Sequence, residues 1–219
     1  DRRDSAEAAA TVEAVDQNVG RIMDGLKSMN LLENTIVIFT SDNGGTPQFT
    51  APLKGSKGQL YEGGIRVPLV VSWPGLKNPG RTTPVPVSSV DWYPTLLELA
   101  GLTAPQGQIQ DGVSLMPLFR GSDTLQRDRL FWHFPCYVGR SAPSSAVRVG
   151  DYKLVEFFED GGHVELYDLQ QDPNEEHDLA AEMPARRDEL TKILKTWQKE
   201  TAAAIPNTAT PDFNDTATT

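Results

Sequence analysis

The residues best equipped for chemistry sit in two short stretches and at one isolated position. In Thr40-Ser41-Asp42-Asn43-Gly44-Gly45 a carboxylate and a neutral amide stand side by side, followed by two glycines. Side-chain oxygens of this kind suit a hard divalent cation. The glycines let backbone approach that cation, or an anion beside it, closely. Asp-Asn-Gly-Gly is also ordinary turn chemistry, in which both side chains bond only to local backbone. The second stretch, residues 54–66, reads Lys-Gly-Ser-Lys-Gly-Gln-Leu-Tyr-Glu-Gly-Gly-Ile-Arg and gathers Lys54, Lys57 and Arg66. An ammonium group is a point charge able to follow oxygens whose charge changes during a reaction, although a solvated surface lysine is the plain alternative. The isolated position is His133, for which a packed, hydrogen-bonded histidine is the plain reading; His163 and His177 lie in turn-like surroundings and read as exposed.

Hydrophobic periodicity supplies the elements that must position these residues. Residues 36–39 form a continuous apolar run, expected to be a strand buried on both faces in a parallel sheet. Asp42 and Asn43 then fall at its carboxyl end, where open α/β sheets bind ligands. Before it, Val12, Val15, Val19, Ile22, Met23, Leu26 and Met29 recur at helical spacing and predict a core-packed helix ending near Asn30. Residues 67–73 predict a second apolar strand, stopped by Pro74-Gly75. Residues 89–101 predict a helix with Pro94 in its first turn and Gly101 as its stop. A turn and short helix follow over 111–119, opened by Ser114 and closed by Gly121.

Beyond that point four short strand-like runs appear, at 130–134, 145–149, 152–158 and 164–169. Hairpin signals at Gly150-Asp151 and over 159–162 separate them, and residues 172–175 read as a further turn. A last helix from Pro184 carries Leu190, Ile193, Leu194 and Trp197 on one face. Strands in series followed by a helix imply an antiparallel sheet with that helix packed on it. The expected fold class is α/β: part of an α/β domain over 1–121, a small antiparallel subdomain with its carboxyl-terminal helix over 122–205, and a loose tail over 206–219. Two parallel-type strands would leave long unpaired edges, so the remainder of the first sheet is expected upstream of Asp1.

Composition narrows the partners. The chain has 219 residues and a formal net charge of −10. Residues 1–120 carry 12 acidic and 10 basic side chains, whereas residues 121–219 carry 18 and 10. This balance argues against nucleic acid. It leaves an anionic small substrate open, because the local field of Lys54, Lys57 and Arg66 governs a pocket more than net charge does. No window approaches the ~18 consecutive apolar residues of a membrane span. The single cysteine, Cys136, excludes an internal disulfide framework.

The order Thr-Ser-Asp-Asn-Gly-Gly, then Lys-Gly-x-x-Tyr-Glu-Gly-Gly-x-Arg-x-Pro, then a strand closely resembles the second half of the catalytic domain of type I sulfatases. These are the formylglycine-dependent members of the alkaline phosphatase superfamily. The resemblance covers roughly residues 8–200 and implies an alkaline-phosphatase-like α/β domain followed by the small antiparallel part. It implies that Asp42 and Asn43 are the later pair of ligands to a metal, calcium with magnesium as the alternative. It also implies that Lys57, fixed by the frame in preference to Lys54, is a catalytic and substrate-binding residue that contacts the sulfate. Glu62, Gly63, Gly64 and Arg66 read as loop-shaping. Residues 131–137 resemble a Trp-His-x-Pro-His-Tyr element of carbohydrate-directed bacterial sulfatases, which makes His133 a substrate-binding candidate; the second histidine is Cys136 here. Cys136 has the outer residues of the nucleophile signature, but Val138 stands in its middle and it follows the metal pair, so it reads as a small hydrophobe. The formylglycine and the early aspartate pair are expected in the missing amino-terminal region, which the fragment would need in order to act.

The expected function is hydrolysis of sulfate esters, of sulfated carbohydrate or a sulfated small molecule, in the periplasm or outside the cell. A phosphonate or phosphodiester hydrolase of the same superfamily is one alternative, and a non-catalytic carbohydrate-binding module another.

Overall fold

The computed structural model describes residues 2–138 and 141–206. From residue 207 on, the tail expected over 206–219 lies outside the described residues, as do Gly139 and Arg140 of the cysteine-led segment. In chain order the elements are α1 (Arg2–Ser28), β1 (Val37–Thr40), the single turns α2 (Pro47–Thr50) and α3 (Glu62–Ile65), β2 (Leu69–Ser72), α4 (Trp92–Leu99), α5 (Met116–Phe119), β3 (Arg129–Phe134), β4 (Ser144–Val149), β5 (Tyr152–Phe157), β6 (His163–Asp168) and α6 (Pro184–Glu200). No helix among the described residues is long and apolar enough to cross a membrane.

The periodic helix forms and leaves through Asn30 at φ +56, a left-handed conformation that asparagine tolerates. Its apolar stripe differs from expectation. Val12, Val15 and Ile22 are exposed, and Gln48 and Phe49 share a surface hollow with its amino-terminal half.

The first sheet also differs. β1 pairs with β2 antiparallel, Val37 opposite Ser72 and Thr40 opposite Leu69, and Phe39 and Val70 are exposed. A parallel pair needs a long crossover, usually a helix. The segment between these strands contains only α2 and α3, each a single turn, so the chain folds back and β2 runs the other way. The apolar run had indicated burial, which does not determine strand direction.

A fully buried carboxylate locks the segment leading to the second sheet. Asp91 accepts the amides of Ser88 at 2.7 Å and Val113 at 3.0 Å and pairs with the Arg127 guanidinium. Thr95 donates to the Asp91 carbonyl at 2.6 Å and accepts the Leu115 amide at 2.8 Å. These bonds hold α4 against α5 and carry the chain into β3.

The second sheet has the order β3-β4-β5-β6 with every pair antiparallel. Gly150, at φ +61, supplies the tight turn between β4 and β5. Both faces are covered, so successive residues serve different partners. Val147, Leu154 and Leu166 pack under Leu190 and Leu194 of α6. Their neighbours Ala146 and Val155 pack against Leu60 and Ile65, with Trp132, Phe134 and Phe157 around them. The sheet is a layer between α6 and the glycine-rich loop.

Polar groups complete the loop-facing side. Tyr61 of the loop and Tyr167 of β6 both donate to the same Glu165 oxygen, at 2.6 and 2.7 Å. Lys54 donates to the Tyr167 hydroxyl at 2.7 Å and lies 4.3 Å from the centre of the Tyr61 ring. Burial, then the hydrogen bond to Glu165, pushes both phenols far above the usual tyrosine range. The folded chain therefore keeps two protons that the unfolded chain releases near pH ~10. Their stabilisation is complete below that pH and is lost as pH rises toward the folded-state values.

Two measurements follow from this packing. Leu190→Ala removes a fully buried side chain and is expected to cost about 2–5 kcal/mol in equilibrium urea unfolding; a cost within experimental error contradicts the core described. In a near-ultraviolet titration of the folded protein up to pH about 11, Tyr61→Phe and Tyr167→Phe are expected to leave the reversible phenolate signal unchanged. A smaller signal in either variant means that the phenol titrates as an ordinary tyrosine.

Candidate functional site

Asp42 and Asn43 directly follow β1, Asp42 exposed and Asn43 half-buried. The Ser41 hydroxyl donates to the Asn43 carbonyl at 2.9 Å, which shapes the turn without using either candidate side chain. Neither the Asp42 carboxylate nor the Asn43 amide bonds to a described residue. The turn reading required those side chains to be spent on local backbone, and they are not.

Gly44 is buried and seated against α3. Its amide donates to the Gly64 carbonyl at 2.8 Å, and a Cβ on Gly44 would lie 1.8 Å from the Gly63 carbonyl oxygen. Gly63 in turn donates to the Lys54 carbonyl at 2.7 Å, and a Cβ there would meet the Gly55 oxygen at 2.4 Å. At Gly64 it would meet the Gln59 oxygen at 2.0 Å. Each glycine is required by close approach of another backbone segment.

The same stacking brings Lys57 to the Asp42 turn. The Lys57 amide donates to the Gly45 carbonyl at 2.9 Å, so residues twelve or more positions apart in sequence share one loop layer. Lys57 is exposed, and its ammonium has no partner among the described residues. Lys54 is committed elsewhere, to Tyr167, the Tyr61 ring and Glu165 at 3.7 Å. Lys54 is therefore paired within the chain, whereas Lys57 has no partner among the described residues.

His133 is not brought to this layer. Its Nε2 lies 3.0 Å from the Ala204 carbonyl, which can only accept, so that nitrogen carries a proton. Its Nδ1 meets the Ser145 hydroxyl at 2.6 Å. The ring packs edge-on to Trp197 of α6 and to Phe158, on the sheet face opposite the glycine-rich loop. Both nitrogens are spent within the chain, which is the geometry of the packed, hydrogen-bonded alternative. Cys136 is exposed. His163 stacks on Phe157 and His177 meets Glu182 at 2.9 Å, both histidines exposed.

Sequence reading missed the charges beneath the loop. Lys153 of β5 is fully buried, its Nζ 3.0 Å from a Glu62 oxygen and 2.9 Å from a Glu175 oxygen. The other Glu175 oxygen accepts the Glu62 amide at 2.6 Å. Glu175 sits at φ +60, a conformation that costs a non-glycine residue about 1–3 kcal/mol. Burial pushes its carboxyl up, against the opposing pull of Lys153. The signal available in the sequence was a lone lysine inside an apolar strand, Tyr152-Lys153-Leu154-Val155.

Two uncommitted oxygen donors fit part of the shell of a hard cation, which takes six to eight when it is calcium. No group of three or more His, Cys, Asp or Glu side chains that could hold a metal occurs among the described residues. A surface hollow of about 560 Å³ lies between β3 and α6, away from the loop. As it stands, the candidate site is a loop surface with two uncommitted side chains, Asp42 and Asn43, and a Lys57 ammonium without a partner among the described residues.

Comparison with known proteins identifies the family. A family model described as Sulfatase matches residues 2–102, and one described as N-sulphoglucosamine sulphohydrolase, C-terminal, matches residues 56–202. A sulfatase of Formosa agariphila is 41% identical over 229 residues, covering 95% of this chain and 41% of that protein. A solved structure holding its substrate D-glucosamine-2-N,6-O-disulfate superposes with a TM-score of 0.75 at 31% identity, over 87% of this chain and 39% of the other. The phosphonate monoester hydrolase of Agrobacterium radiobacter superposes with a TM-score of 0.69 at 28% identity, over 85% and 39%. The chain spans less than half the length of the curated relatives it matches. With a family model covering most of its length, the chain belongs to the sulfatase family.

Proposed function

We propose that this chain is the carboxyl-terminal portion of a metal-dependent sulfatase that hydrolyses sulfate esters of carbohydrates. The observation that carries the reading is the loop layer itself: the unspent oxygens of Asp42 and Asn43 and the unpaired Lys57 ammonium are tied to adjacent backbone by the Gly44–Gly64 and Lys57–Gly45 bonds. Asp42 and Asn43 would hold one side of a calcium or magnesium ion, which when bound supplies Lewis-acid polarisation of the sulfuryl oxygens. Lys57 places a positive charge where negative charge grows on those oxygens. The nucleophile, a formylglycine by family resemblance, belongs to sequence outside these residues. The proposed division is catalytic α/β domain to residue 121 and antiparallel subdomain from 122. A periplasmic or secreted location fits the same family habit.

Sulfated carbohydrate is the favoured substrate because a structural neighbour is described with D-glucosamine-2-N,6-O-disulfate as its substrate. A phosphonate or phosphodiester hydrolase is the second reading, favoured by the likeness to the phosphonate monoester hydrolase. Relative rates on aryl sulfate and on phosphonate monoesters separate the two.

In the full-length protein, hydrolysis of an aryl sulfate is expected to stop on chelation and to return with calcium or magnesium. Lys57→Ala is expected to keep the metal and lose about 100- to 1,000-fold in kcat. Asp42→Ala is expected to weaken metal binding by more than about 100-fold in a calorimetric titration. Turnover indifferent to chelator, or to both substitutions, contradicts the proposal.

A further inference from the structure

We infer that Lys153 is a positioning residue for the loop that carries the candidate site, holding Glu62 and Glu175 together beneath it. Its importance for catalysis rests on the sulfatase reading; its effect on the loop does not.

Lys153 lies on β5, on the face turned toward the glycine-rich loop, and is fully buried between the two carboxylates. Glu62 opens α3 and is gripped twice, through its side chain by Lys153 and through its amide by Glu175. The adjoining Asn174 carbonyl accepts the Lys54 amide at 3.3 Å, so the turn over 172–175 meets both ends of the loop. From Glu62 the path to the ligand pair is short. Gly63 and Gly64 follow within α3, Gly64 accepts the Gly44 amide, and Gly44 directly follows Asn43.

Charge balance makes the ammonium hard to replace. Glu62 and Glu175 bring two negative charges, offset by Lys153 and by Arg66, whose guanidinium reaches Glu62 only at 3.9 Å and is largely exposed. Without Lys153, two carboxylates remain side by side in a buried space. They must separate, or one must take a proton. Either change releases the side chain that orients α3.

The test compares the full-length parent with Lys153→Met and with Glu175→Gln, a milder change that keeps an acceptor for the Glu62 amide. Hydrogen–deuterium exchange is followed over residues 42–66 and over α6, with calcium titration and aryl sulfate kinetics alongside. The expected result is exchange over 42–66 faster by about tenfold or more while α6 is unchanged. Calcium affinity and kcat/KM are each expected to fall about 10- to 100-fold, the range for residues that support metal ligands. Unchanged exchange over 42–66 in a folded variant overturns the inference, and so does acceleration spread evenly through α6, which would mark a merely structural role. If the parent neither binds calcium nor hydrolyses aryl sulfate, the sulfatase reading fails, and the exchange measurement alone decides the role of Lys153.

Discussion

Around α3, segments of main chain lie closer together than any side chain would permit, and the candidate site is a consequence of that contact. Gly44 rests on Gly63 and Gly64, Gly63 on Gly55, and Gly64 on Gln59, with room for a Cβ at none of these three glycines. The bonds across the contact are backbone amides to backbone carbonyls, whose geometry is fixed by two soft dihedrals per residue. Side chains of a lysine and an aspartate swing through several ångströms; the peptide groups beneath them do not. A ligand pair and an ammonium must be held within fractions of an ångström to act together, and stacked glycines are a direct way to do it.

That stack needs a floor, and the second sheet provides one with an unusual surface. On β5 the residues facing α6 include Leu154 and Glu156, Glu156 accepting from Gln198 at 2.8 Å. Those facing the loop are Lys153 and Val155, and β6 adds Glu165 and Tyr167. An apolar floor of the same shape could be as stable, because desolvating charges often consumes what their pairing returns. It would also allow the loop to slide. An ammonium within 3.0 Å of two carboxylates, and a carboxylate that takes two phenols, permit one register. Tyr61 and Lys54 find their partners on β6, and Glu62 finds its own on β5 and in the turn that follows the sheet.

What the sequence disclosed, and what it hid, follows from the range of the interactions. The four strands and α6 were legible because apolar alternation and flanking Gly or Pro are local signals. Asp42, Asn43 and Lys57 stood out as candidates, as residue types in a frame. The pairing sense of β1 with β2 was not, since an apolar run reports burial and carries no direction. The exposure of Val12, Val15 and Ile22 on α1 was equally hidden, because periodicity marks a face without saying what covers it. Lys153 finds Glu62 across 91 positions, with nothing local to announce it. The direction of His133 was hidden for a subtler reason: both faces of its sheet are covered, so alternation could not say whether it pointed to the loop or, with Phe131, to α6.

The two lysines three residues apart show why field matters more than charge count. Lys54 is neutralised in place by Glu165 and by the faces of two tyrosine rings, so it adds little potential at the surface. Lys57, without a compensating carboxylate among the described residues, keeps its field. In a chain of net charge −10 an uncompensated cation of this kind is where an anion is drawn. Asp42, on the adjoining turn, works against it, since a sulfate ester approaching that carboxylate directly would be repelled. A divalent ion seated on Asp42 and Asn43, as proposed, would reverse the sign of that side of the platform. The anion would then meet positive charge from both directions, and this electrostatic requirement is the reason for proposing Asp42, Asn43 and Lys57 as a single site.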